Sequence, residues 1–176
     1  PLHDHLRVTE LMYAPLAGSD AEFVELFNSG SNTLDISEVV LIGGIDFTFA
    51  GASVTNLGAG ERTVLVNDLA VFASTYDTNG VSIAGVFSGN LSNSGEDIRL
   101  EDRWGLTILR FDYADDRGWP LAAHGAGHSL VPRVIDTQNL GVLDYGGHWR
   151  ASTFMHGSPG QADPAAITNV VLNEVL

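Results

Sequence analysis

LRVTELM at residues 6–12 and FVELFN at residues 23–28 carry the reading of the fold. Each is a run of large apolar and β-branched side chains of strand length, and the link from Tyr13 to Glu22 is rich in small and acidic residues. The two segments are predicted to be strands that pair. Working outward, Leu34 to Ile42, Ile45 to Phe49, Arg62 to Asn67 and Val81 to Phe87 read as further strands, separated by Gly, Asn, Asp and Ser clusters. Ile98 to Leu100 and Leu106 to Tyr113 read as a hairpin turned by Asp102 to Gly105, with Thr107, Leu109, Phe111 and Tyr113 on the core face. Helical periodicity is confined to Asp68 to Tyr76, where Leu69, Phe72, Ala73 and Tyr76 share a face and Asp68 can cap the first turn. The expected class is all-β, a sandwich with one short connector helix.

Later in the chain, Ala114 to Gly127 is a long irregular stretch rich in Asp, Gly, Ala and His, of the kind that often carries function. Ser129 to Ile135 reads as an edge strand, because Pro132 cannot donate to a ladder. Trp149 is expected to anchor the core, and His156 to Pro164 (HGSPGQADP) reads as an extended exit linker.

Composition limits the function. The 176 residues include 22 acidic and 8 basic side chains, a formal charge of −14. None of the basic residues is Lys, and the eight Arg are scattered singly, so no basic patch exists to release counterions from a nucleic acid. A nucleic-acid partner is therefore not expected, nor is a membrane span, because no apolar run approaches roughly 18 residues. Without Cys there is neither a thiolate nucleophile nor a Cys-ligated zinc.

Two acidic groups are candidate calcium ligands, since Ca²⁺ takes six to eight oxygens from carboxylates, carbonyls and water. One is Glu10, Asp20 and Glu22 with Glu25; period-two geometry puts Glu22 and Glu25 on opposite faces, so at most three of the four can share an ion. The other is Asp112, Asp115 and Asp116, whose mutual repulsion a cation or Arg117 would relieve. The alternatives are a charged sheet edge that blocks strand addition and a set of turn caps. No cofactor is required by the sequence; calcium is the one it accommodates. Asp77 to Gly80 and Asp136 to Asn139 resemble fragments of calcium loops but are simpler as Asx-turns.

A zinc pair from His124 and His128 is disfavoured by the glycines between them, and His3-Asp4-His5 belongs to an expected N-terminal tail. A triad of Ser129, His128 and an Asp can be drawn but lacks a nucleophile elbow. Of the three tryptophans, Trp119 and Trp149 are expected in the core, and Trp104, at a hairpin turn, is the ring most suited to a partner or a sugar.

The end of the chain repeats its beginning. Leu172-Asn173-Glu174-Val175-Leu176 overlays Val8-Thr9-Glu10-Leu11-Met12 at an offset of 164 residues, as the start of a second copy would. Residues 1–5 are then a tail, 6–160 one domain, and 161–176 a linker with the first strand of the next copy. A chain that opens on Pro1 rather than Met fits a piece cut from a longer protein.

Leu6 to Pro164 resembles the lamin tail domain, specifically its bacterial members. The resemblance is carried by Val8 to Pro15, Ala21 to Asn28, Leu34-Asp35-Ile36-Ser37, Phe47-Thr48-Phe49, Leu91 to Glu96 and Phe111-Asp112-Tyr113. Gly118-Trp119-Pro120, His128-Ser129-Leu130, Trp149 to Ser152 and Gly157-Ser158-Pro159-Gly160 continue it in order. Where bacterial members usually have Gly-Trp after the Asp-Leu-Ser strand start, this chain has Glu38-Val39. The resemblance implies an immunoglobulin-like β-sandwich with no catalytic residue set. It further implies a secreted or cell-surface bacterial protein in which the domain is a structural or interaction module for adhesion, anchoring or spacing. Its partners would be a protein, an extracellular polymer or neighbouring copies in the same chain. A carbohydrate-binding module is the runner-up, and a hydrolase domain comes third.

Overall fold

The structure, a computed structural model, describes residues 1–116, 118–135 and 141–164. Thirteen strands and two short helices are assigned among them: α1 Leu2–His5, β1 Leu6–Met12, β2 Phe23–Asn28, β3 Leu34–Asp35, β4 Val40–Gly43, β5 Ile45–Thr48, β6 Asn56–Leu57, β7 Arg62–Val66, α2 Leu69–Thr75, β8 Ile83–Val86, β9 Ser88–Gly89, β10 Gly95–Glu101, β11 Thr107–Ala114, β12 Leu130–Pro132 and β13 Trp149–Ala151.

β1 sets the architecture. Leu6 and Val8 point into the main core at period two, and strict alternation would send Glu10 after them. Instead the pairing with β2 shifts between Val8 and Glu10, a bulge at Thr9 that turns Glu10 outward and returns Leu11 and Tyr13 to the core. Opposite it, Val24 and Leu26 of β2 face the same core, while Phe23 joins a second cluster on the other side of the sheet. The sheet is six-stranded, in the order β13-β12-β1-β2-β7-β8. A five-stranded sheet, β11-β10-β4-β5-β9, supplies Leu41, Ile45, Ile98, Leu100, Leu109 and Phe111 to the same core. The molecule is thus β-rich and sandwich-like, two sheets sharing one interior, with β3 and β6 as a small third sheet. Trp149 is fully buried at the end of that interior, its ring against Phe111 and Trp119 and its Nε1–H donating to the Leu143 carbonyl at 2.8 Å.

β7 and β8 run parallel, so α2 must cross over the outer face of the six-stranded sheet. Asp68 caps it through the N–H groups of Ala70 and Val71. Phe72 and Tyr76 then pack edge-on to Phe23, closing a second apolar cluster with Met12, Val64 and Val66.

Several details differ from the sequence reading. Leu34 to Ile42 is two strands, because Asp35 accepts hydrogen bonds from the Ser37 N–H and hydroxyl and turns the chain between them. β12 is not an edge: β13 lies outside it, and Pro132, its last residue, sits opposite Trp149. The first residues form α1, with Leu2 against the core and His3 Nε2 3.2 Å from Asp102. The terminal stretch Thr168 to Leu176 and the turn Asp136 to Asn139 lie outside the described residues.

Candidate functional site

The acidic residues fall into two settings. In the first, Glu10 and Glu25 stand opposite each other on β1 and β2, on the outer face of the six-stranded sheet, each only 1% exposed. A buried carboxylate must be neutralised or hydrogen-bonded. Here the exit segment does it: residues 154–164 fold back across the sheet as a strap. Glu10 Oε1 accepts from the Ser129 hydroxyl and from the Ser158 N–H at 2.9 Å, and Glu25 Oε2 accepts from the Gly160 N–H at 2.6 Å. Thr9 donates to Glu25 Oε1, against which Arg62 forms an ion pair at 3.1 Å. Asp163 closes the far end, accepting from the Arg150 guanidinium, the Thr153 N–H and the Ser158 hydroxyl.

The turn that aims the strap is tight. His156 is the one non-glycine residue with positive φ among the described residues, at 70°, and Gly157 follows at 72°. A Cβ on Gly157 would overlap Glu10 Oε1, so the residue must be glycine for space as well as conformation. Beside the strap, a cleft of about 520 Å³ opens between it and α2, lined by Tyr76, Asp77, His156 and Ser158 among others.

Three carboxylates gather here against two guanidinium groups, which disfavours ionisation of all three at once. Burial pushes Glu10 up to about 8, with the Ser129 hydrogen bond opposing and the Glu25 charge adding to the rise. Burial likewise takes Glu25 to about 7, and hydrogen bonds and Arg62 pull against it. Glu22 points elsewhere, as period-two geometry requires. Its Oε2 accepts from the Leu91 N–H at 2.7 Å, and burial raises it to about 7. Asp20 is exposed, on the single turn Ser19–Ala21. The first acidic group is therefore divided between two structural tasks.

The second group is also tied down. Asp112 pairs with Arg110 at 2.9 Å, Asp115 lies 3.6 Å from His124, and the Asp116 carbonyl accepts from the Trp119 N–H. No three His, Cys, Asp or Glu side chains gather as a metal ligand set among the described residues. Asp77 does form the Asx-turn, accepting from the Asn79 N–H. The hydrolytic triad is not assembled for an external substrate: Ser129 is fully buried and donates to Glu10, while His128 Nδ1 bonds the Ser152 carbonyl.

The other setting is the β10–β11 turn. Asp102 Oδ1 accepts from the N–H groups of Trp104 and Leu106, both at 2.9 Å, and fixes the backbone that presents Trp104. The indole is 72% exposed rather than folded over its hairpin. It borders a groove of about 310 Å³ with Leu2, Leu34 and Asp35, continuous with a smaller hollow reaching Glu38 and Arg103.

Sequence reasoning does not single out the strap residues Gly157, Ser158, Arg150 and Asp163 as a site. The signal that points to them is two Glu inside apolar strands, which demand partners from elsewhere in the chain. The chain matches no protein-family model and no curated protein. Fold and sites together define a β-rich, sandwich-like module with one closed acidic face and one open aromatic turn. No helix among the described residues is long and apolar enough to cross a membrane.

Proposed function

We propose that the protein is a non-catalytic structural and interaction module of lamin-tail, immunoglobulin-like type, serving adhesion, anchoring or spacing within a larger secreted or surface protein. One observation carries this reading: the groups most suited to chemistry, Glu10, Glu25 and Ser129, are buried and engaged by this chain's own donors. They hold the exit strap to the sheet, as a domain transmitting tension to a following copy requires. The two-sheet core closed by Trp149 supports the lamin-tail resemblance. Trp104 supplies the contact surface; its exposure also suits a glycan platform, the runner-up.

The test is a panel of ester, phosphodiester and glycoside substrates presented to the purified domain. The expected result is no turnover above background and no change on Ser129→Ala. Turnover that disappears in Ser129→Ala or Glu10→Gln would overturn the proposal.

A further inference from the structure

We propose that the groove beside Trp104 is a docking site for a basic segment of a partner protein, receiving an arginine or lysine side chain between the indole and the Asp35 carboxylate, with Glu38 beside it. This deepens the interaction-module reading and rests on it.

The groove is built from contacts within the chain. Asp102 fixes the turn through two backbone N–H groups, and its Oδ2 holds His3, which brings α1 and Leu2 to the opposite wall. Its floor is apolar, from Leu2 and Leu34, which suits the methylene stem of a long basic side chain. Its rim carries the exposed carboxylates of Asp35 and Glu38, the latter already paired with Arg103. Hydrogen bonds from the Ser37 hydroxyl and N–H hold Asp35 below the ordinary carboxylate range, so its charge is present at neutral pH. No cation pairs with Asp35 among the described residues. The chain as a whole, at −14, steers cations toward it.

The protein also displays the recognition it would offer. Arg103 lays its guanidinium 4.7 Å from the Trp104 ring centroid while donating to Glu38 at 2.9 Å. A guanidinium held by an indole and a carboxylate is the arrangement a partner's arginine would repeat with Asp35. Charge puts a basic segment ahead of a polysaccharide, since a neutral sugar can donate hydroxyls to these carboxylates but gains nothing from their net charge.

The Trp104 indole N–H is a natural reporter, because Trp119 and Trp149 are buried. In a ¹H–¹⁵N titration, an acetylated and amidated Gly-Arg-Pro-Arg-Gly peptide should shift the Trp104 indole and the Gly105 and Leu106 amides saturably. The same peptide with Glu in place of Arg should not. Asp35→Asn with Glu38→Gln, or raising salt from about 50 to about 500 mM, should weaken binding about three- to tenfold. Trp104→Ala, whose turn is fixed by Asp102 without the ring, should abolish the shifts at Gly105 and Leu106. Equal shifts from both peptides, or none from either, overturn the proposal. Shifts from cellohexaose alone reassign the groove to glycans, and shifts on concentrating the free protein reassign it to a second copy. Failure here leaves the non-catalytic reading standing, since that falls only to turnover.

Discussion

The strap face and the Trp104 turn are both acidic, and they use their carboxylates in opposite ways. At the strap, Glu10, Glu25 and Asp163 are buried and outnumber their cations. Glu10 and Glu25 receive backbone and hydroxyl donors from segments more than 100 residues away. At the turn, Asp35 and Glu38 face water beside an exposed indole. Only the first arrangement belongs to the folded interior, where hydrogen-bond donors from the chain offset the burial of the carboxyls, while exposed ion pairs contribute little. Only the second is free to meet a partner.

The largest effects should come from disturbing the strap. Raising the pH does so without mutation. The folded-state pKa values of Glu10 and Glu25 lie above the unfolded value of about 4.5, so the native state binds more protons between those limits. Their favourable contribution is complete below about pH 4.5 and is lost as pH rises through about 7 to 8. Since a tenfold change in proton affinity is worth about 1.4 kcal/mol, urea unfolding should show stability falling by several kcal/mol from about pH 5 to about pH 9. Glu10→Gln, which keeps an acceptor for Ser129 and Ser158 but cannot ionise, should make the curve shallower, leaving the part that Glu25 and Glu22 contribute. An unchanged slope in that variant would sever the strap from the pH dependence.

Next in size is Gly157→Ala. The added methyl overlaps Glu10 and sits at φ 72°, so a loss of about 2–4 kcal/mol in urea midpoint experiments is expected. A loss under about 1 kcal/mol would show that the strap is not seated as described.

The turn should respond less. Asp102→Ala removes the acceptor of two N–H groups and the His3 contact, costing about 1–2 kcal/mol. Trp104→Ala should change stability by less than about 0.5 kcal/mol, as an exposed ring contributes little to the core. Calcium should do least. The strap carboxylates and Glu22 already hold internal donors, so about 2 mM CaCl₂ against EDTA should move Tm by no more than about a degree. A calcium-specific rise of several degrees would return the acidic rims to ion binding.

How much of this the sequence discloses follows from range. Local information is legible: β1 and β2 begin and end where their apolar runs do, Asp68 caps α2, and Trp149 is buried. The division of Leu34 to Ile42 is readable in principle, since Asp35-Ile36-Ser37 is an Asx-type turn within a strand-like run. The proline of β12 hints at an edge, yet β13 pairs beyond it all the same. The bulge at Thr9 is not readable, because whether Glu10 points in or out depends on Ser158, 148 residues on. For the same reason the strap reads as a linker: HGSPGQADP is polar and turn-rich, and only the buried acids beneath it make it structural. Trp104, whose setting is a local turn, is legible from sequence as the exposed ring.

The most direct test of the contrast is a ¹³C titration of the Glu10 and Glu25 side-chain carboxyls by NMR. The account predicts that Glu10 is still protonated at about pH 6 and that the pair releases its last proton near pH 8, while Asp35 is ionised throughout. Carboxyl resonances already at their ionised positions by about pH 6 for both strap residues would contradict it.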